Sequence, residues 1–321
     1  MMKLRSIRVT IVAGTLASAA CMVHGQDYPN RAIRILTAEA GGGLDVQTRL
    51  IAQGLTASLG RQVIVENRGG GAYAAETIAK SPPDGYNLLY YGSNVWLAPL
   101  LRSDLPWDAA KDFAAISLAT RAPNLVAVTP SLPVNSIKDL IALAKARPGQ
   151  LNYASGSTGS SPHLAAELFK YMAGVKIARI NYRGNAQAYA DVIRGEVPLI
   201  FPTTTSAAPH LQSGKIRALA VTTVQRSVQF PALPTVDEAG LPGYESASIN
   251  GMLAVAGTPA TLLARINGEV VKVLNRADIK ERFLTLGVEV VAGSPDEFAA
   301  FIRAEMARMG KMIKAAGLRD E

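Results

Sequence analysis

Short apolar runs alternate with amphipathic segments along most of this chain, and that alternation restricts it to the α/β class. Ile33 to Thr37, Gln62 to Glu66 and Asn87 to Tyr91 read as strands, with helices starting at Asp45 and Ala72 between them. Strands joined through helices pair side by side in the same direction, so parallel sheets covered by helices are expected. Ile51, Leu55 and Leu59 recur every four residues on one face of the first helix, and Gly60 supplies its stop. Residues 81–86, Ser-Pro-Pro-Asp-Gly-Tyr, form a dense turn before the third strand.

A second α/β series begins near Leu125. Its strands are Leu125 to Thr129, Asn152 to Ala154, Ile177 to Tyr182, Pro198 to Phe201 and Ile216 to Val221. Its helices are Ser136 to Ala146, residue 161 to Ala173 and Asn185 to Arg194. The tail then returns, with a strand Met252 to Ala256, a helix to Asn275, a short strand Val288 to Val291 and a last helix. Ser294, Pro295 and Glu297 open that helix as a capping box, and Phe298, Phe301, Ile302 and Met306 form its packing face. Crossings near residues 120–125 and 247–252 make a hinge. The expected division is residues 26–124 with 252–321 in one lobe and residues 125–251 in the other.

Residues 1–25 differ from the rest. Lys3, Arg5 and Arg8 precede an apolar run from Val9 to Cys21, which is the pattern of a secretory signal cleaved near Gly25 and Gln26. About a dozen apolar residues fall short of the ~20 that span a bilayer. Cys21 admits a lipoprotein signal, although Ser18 stands where that signal usually has Leu. Removing the signal removes the only cysteine, and with it any disulfide or thiolate nucleophile. The roughly 300 residues that remain suffice for two lobes. The signal also takes three cations, so the net charge of +8 falls to +5. The remaining basic residues are scattered, which argues against nucleic acid as a partner; a mildly positive surface draws in anions.

Four loops put glycine or small hydroxyl residues directly before a helix and after a strand: Gly41-Gly42-Gly43-Leu44-Asp45, Gly69-Gly70-Gly71, Ser155 to Ser161, and Arg183-Gly184-Asn185. A helix start carries unpaired N–H groups and the positive end of a dipole, and glycine lets a ligand come close, so such loops suit a carboxylate or a phosphate. Ordinary strand-to-helix turns look the same one at a time; four of them in two lobes point to a cleft. No glycine run ends in Gly-Lys-Ser or Gly-Lys-Thr, which excludes a P-loop. Gly69-x-Gly71-x-x-Ala74 imitates a dinucleotide fingerprint, but the next strand ends Tyr90-Tyr91-Gly92 without the acid that holds a ribose. No metal-ligand cluster is visible, and Ser155 to Gly159 lacks the Gly-x-Ser-x-Gly register. No catalytic residue, metal or cofactor is therefore expected. His163 reads as a structural or ligand-contacting residue, and Asp45 as a helix-start residue that orients donors.

Several ordered segments carry a further signal. They are Tyr28-Pro29 with the Ala40 to Asp45 loop, Val65-Glu66-Asn67-Arg68, Pro83-Asp84-Gly85-Tyr86, Ser160-Ser161-Pro162-His163-Leu164, Tyr182-Arg183-Gly184, Gly214 to Ala220, and Ala256-Gly257-Thr258-Pro259. Together they make the chain resemble a receptor of the tripartite tricarboxylate transporter family, the Bug-type solute-binding proteins. The resemblance implies a two-lobed periplasmic-binding-protein fold of the Venus-flytrap, type II-like kind, with a twisted sheet flanked by helices in each lobe. It implies a monomeric, non-enzymatic periplasmic receptor for a dicarboxylate, tricarboxylate, acidic amino acid or aromatic acid. The expected partners are the large and small integral membrane subunits of a transporter. An orphan sensor working with a sensor kinase is one alternative. An exported hydrolase, with His163 beside a serine and a carboxylate, is another.

By the same resemblance Ala40, Gly42, Gly43 and Asp45 grip one carboxylate from one lobe, and Ser157, Thr158 and Ser161, in the loop before the ligand-contacting candidate His163, grip it from the other, partly through ordered water. Gly184 and Asn185 complete the rim, with Ser93, Asn94 and Thr203 as contributors. Departures from the family pattern fall in the same place: Thr37-Ala38-Glu39-Ala40 replaces a Pro-rich loop, and Leu44 a common Thr. Ile249 replaces an aromatic, Asn185 a frequent Gly, and Thr203-Thr204-Thr205 stands where acids or amides are common. These leave the acid unspecified. Trp96 and Tyr73 read either as an aromatic wall for it or as packing residues.

Overall fold

A computed structural model describes residues 28–318; the expected secretory signal and cleavage point, with Cys21, lie outside the described residues. The first run of elements is β1 (Ile33–Thr37), α1 (Gly43–Leu59), β2 (Val63–Asn67), α2 (Gly71–Ala79), β3 (Asn87–Gly92), α3 (Ser93–Trp96), α4 (Ala98–Leu101) and β4 (Phe113–Pro123). The chain then crosses into β5 (Leu125–Val128), α5 (Ile137–Ala146), β6 (Leu151–Ser155), α6 (Ser161–Ala173), β7 (Ile177–Asn181), α7 (Asn185–Arg194), β8 (Leu199–Ile200), α8 (Thr204–Gln212) and β9 (Arg217–Val221). It returns as β10 (Ala247–Val255), α9 (Ala260–Leu274), α10 (Ala277–Thr285), β11 (Glu289–Val290) and α11 (Pro295–Ala315).

Two sheets result. One is six-stranded in the order β11-β4-β10-β3-β1-β2, and the other five-stranded in the order β7-β6-β8-β5-β9. Both are covered on both faces, which the strand sequences require, because neighbouring apolar residues point to opposite sides. Leu88 and Tyr90 of β3 fall in one core with Ile33, Ile35 and Phe283, while Leu89 and Tyr91 fall in another with Trp96 and Phe298. In β5, Val126 and Val128 face the core of Phe169 and Tyr244, and Leu125 and Ala127 face that of Tyr182 and Tyr189.

The expectation of parallel sheets holds only in part. β1 is parallel to β2 and β3, and β6 to β7 and β8, but β10 runs antiparallel to β3 and β4, and β5 antiparallel to β8 and β9. The cause is topological: a strand that re-enters its sheet after crossing from the other lobe arrives from the opposite end, without a βαβ crossover. At the crossings, Asn124 N–H donates to Thr222 Oγ1 (2.9 Å), and Ser246 N–H donates to the Thr222 carbonyl (2.8 Å). The capping box at Ser294 and Glu297 is present as read. α3, α4, β4, α8 and α10 are additional to the elements read from the sequence. The Thr-rich start of α8 and its internal Pro209 hide a helix behind strand-forming and helix-breaking residues.

The return segment docks tightly. Gly54, midway along α1, faces α9 so closely that a Cβ placed there would lie 2.3 Å from Val273 Cγ1. In an open helix, Gly→Ala stabilises by about 1 kcal/mol; here overpacking, which costs about 1–3 kcal/mol, wins. Gly54→Ala is therefore expected to lower stability in chemical denaturation, and adding Val273→Ala to recover part of the loss.

Candidate functional site

Where the two sheets face each other, a cavity of about 130 Å³ opens between the lobes. Three long helices begin at its wall. The starts of α1 (Gly42, Gly43), α6 (Ser160, Ser161) and α7 (Gly184, Asn185) all line it. None of the three has a side-chain cap: the residues before them are Gly42, Ser160 and Gly184, and none accepts a bond from its helix. Their first N–H groups and positive dipole ends are thus available to an anion, two from one lobe and one from the other. Thr203, before α8, does cap, accepting from Ser206 N–H (3.4 Å).

The floor adds donors that sequence reading did not find. Gln47, 3 % exposed, lies one turn after Gly43 on the cavity face of α1. Its Oε1 accepts from Tyr90 Oη (2.9 Å), Thr120 Oγ1 (2.8 Å) and Asn250 Nδ2 (3.3 Å). Three donors on the oxygen fix the orientation of the amide, and its N–H₂ group has no partner among the described residues. Burial drives the Tyr90 phenol well above its ordinary pKa, so it stays a donor. Ser160 Oγ is buried in the cavity wall with no partner among the described residues. Ser248, Asn250, Tyr189 and Ser206 also line the cavity, with Glu39 and Arg183 as its charged residues. The nearest sequence signal was the i, i+4 spacing of Gly43 and Gln47; Ser248 and Asn250 come from a distant strand and carried none.

Of the residues expected at the site, Gly42, Gly43, Ser93, Asn94, Ser157, Ser161, Gly184, Asn185 and Thr203 lie at the cavity. Ala40, Asp45, Thr158 and His163 do not line it, and the last three hold the loops from behind. Asp45 is 4 % exposed; Oδ2 accepts from Gly41 N–H (2.9 Å), and Oδ1 from Asn67 Nδ2 (2.8 Å) and Arg49 Nε (2.9 Å). Asn67 also donates to the Ala38 carbonyl (2.7 Å), so the end of β2 braces the loop, in which Gly41 takes a φ of 76°. Thr158 Oγ1 accepts from Arg179 Nη1 (2.9 Å), and Arg179 Nη2 donates to the Gly156 carbonyl (2.7 Å).

His163 Nδ1 accepts from Gly159 N–H (3.1 Å), which leaves the proton on Nε2. A catalytic arrangement needs a serine hydroxyl on this imidazole; it holds a backbone N–H instead. The Gly69 to Gly71 loop lies outside the lining but touches the lining residue Glu39, whose Oε1 accepts from Gly70 N–H (3.3 Å). Neither proposed aromatic forms a wall. Trp96 is 1 % exposed and packs edge-on to Phe298 and Phe301, and Tyr73 is 69 % exposed. Tyr189 is the aromatic at the cavity. A larger recess of about 820 Å³ beside the crossings is lined by Arg121, Val224, Val228, Lys280 and Leu284, and among the described residues no helix begins at it.

Residues 47–318 match the model of the family described as "Tripartite tricarboxylate transporter family receptor". The chain belongs to that family. Among the relatives of this tripartite tricarboxylate receptor, the protein BugT of Bordetella pertussis is 33% identical over 306 residues, 94% of this chain and 94% of its own. The solved structure of R. palustris Rpa4515 with adipate superposes with a TM-score of 0.87 at 37% identity, covering 91% of this chain and 99% of that one. MatC of Rhodopseudomonas palustris with bound malate gives 0.84 at 26% identity, covering 89% and 100%. The receptor shares their two-lobed periplasmic-binding-protein fold.

Two titrations follow from this geometry. Burial, with Arg179 and Lys170 nearby, pushes the His163 imidazole down to about 3. The unfolded chain takes up that proton near pH 6.5 and the folded one does not, so stability falls as pH drops from about 6.5 toward 3. His163→Asn, which keeps an acceptor near Nδ1, is expected to flatten that part of the pH profile in urea titrations. For Asp45, burial raises the pKa, but the bonds from Asn67, Gly41 and Arg49 together outweigh it and the carboxyl sits below its ordinary value. Its contribution is present above about pH 4 and lost as pH falls through the lowered value. Asp45→Ala is accordingly expected to be less stable than wild type at pH 7, with the gap narrowing below pH 4.

Proposed function

We propose that this receptor captures a small carboxylate between its lobes in the periplasm and delivers it to the membrane subunits of a tripartite tricarboxylate-type transporter. The observation that carries the reading is the convergence of three uncapped helix starts, from both lobes, on one cavity where the Gln47 amide is oriented by three bonds to its oxygen and its N–H₂ group has no partner among the described residues. Oriented N–H donors around a small space suit a carboxylate, and the cavity size favours a compact acid. The adipate and malate held by those two similar proteins support the same chemistry. Residues 1–25 carry an export pattern, and no helix among the described residues is long and apolar enough to cross a membrane.

Ligand contacts supplied by both lobes are made together only when the lobes are close. A solute that uses them shifts the population toward closure by its differential affinity. Gly43 of α1 sits against the other lobe, where a Cβ would meet Thr203 Oγ1 at 3.1 Å. Isothermal titration with adipate, malate and related acids is expected to find a binder, and small-angle scattering to show compaction with it. Gly43→Val should wedge the lobes, weakening that binder about tenfold or more and reducing the compaction. Absence of binding by every small carboxylate would overturn the reading.

A further inference from the structure

The charges at the cavity do not match a simple anion trap. Among its lining residues Glu39 is the one carboxylate and Arg183 the one guanidinium, and they come from opposite lobes. Neither forms an ion pair among the described residues. Glu39 is half-buried at the end of the β1 loop, where Gly69 leaves it room: a Cβ at Gly69 would stand 3.1 Å from Glu39 Oε1. That oxygen accepts only at the long end of hydrogen bonding, from Gly70 N–H (3.3 Å) and, across the cleft, from Ser157 Oγ (3.4 Å). Oε2 has no partner among the described residues.

A carboxylate withdrawn from water without a cation is unfavourable, and it becomes more so when a second anion closes in beside it. Both costs disappear if the solute brings its own positive charge. We propose that Glu39 pairs with a protonated nitrogen of the solute, so that the receptor selects carboxylates that also bear an ammonium group over plain dicarboxylates. The carboxylate end of such a zwitterion meets the uncapped starts of α1 and α6, with Arg183 on the far wall, and its nitrogen meets Glu39. This rests on the carboxylate-receptor reading and narrows its substrate class.

The test is calorimetry on matched pairs that differ by one amino group: succinate against aspartate, glutarate against glutamate, and adipate against 2-aminoadipate. In the wild-type protein the aminated member of at least one pair should bind about tenfold tighter or better, as for a desolvated charge pair. Glu39→Gln, which keeps shape and hydrogen bonding, should erase or reverse that ratio, with an unchanged melting profile as the folding control. Plain dicarboxylates that bind as tightly as their aminated partners would overturn the inference and leave the carboxylate reading standing. Equal loss of affinity for both members in Glu39→Gln would make Glu39 a closure contact to Ser157 and overturn it as well. Failure of every acid to bind would remove both readings together.

Discussion

The first N–H groups of a helix have no carbonyl one turn behind them, and α1, α6 and α7 begin without a side chain that makes good the loss. Each start follows a strand whose carboxyl end faces the opposite lobe, so the sheet topology delivers the deficits to one place. The sheets, the two crossings and the docking of the return segment on the first sheet can all be understood as the scaffold that keeps these ends opposed. A site built from backbone groups also explains why the cavity is poor in charged side chains and rich in glycine, serine and amides.

Backbone donors are useful only when the loops that carry them are held. The Asp45, Asn67 and Arg49 cluster fixes the loop before α1, Arg179 and His163 fix the loop before α6, and Gln47, Tyr90, Thr120 and Asn250 fix the floor. These polar groups face away from the cavity or into it from below. They serve as preorganisation, which reduces the ordering cost of binding. A neutral His163 fits this role, since a charged one would compete for the proton position that Gly159 N–H requires.

Much of this was legible in the sequence, and the gaps have physical causes. Apolar runs with turn signals located most strands to within a residue or two, because burial on both faces leaves an unbroken apolar run. The reversed strands escaped detection because periodicity carries no direction; only the crossings set it. Glycine before a helix is a local pattern, so the loops at Gly42, Ser161 and Gly184 were readable as site material. Whether a side chain in such a loop faces the cavity or braces it from behind depends on distant partners such as Asn67 and Arg179. That is why Asp45, Thr158 and His163 lie behind the wall rather than at it. Gln47 and Asn250 were invisible for the same reason: one is an ordinary helix residue and the other an ordinary strand residue until the fold joins them.

The central claim, that one solute is held at the same time by helix starts of both lobes, is tested most directly by a crystal structure of the receptor with a carboxylate that it binds. The account predicts carboxylate oxygens within hydrogen-bond distance, about 2.7–3.2 Å, of N–H groups at the beginnings of α1 and α6, with the Gln47 amide donating beside them. A solute seated in the recess beside the crossings, or bound to one lobe with the other turned away, would contradict it.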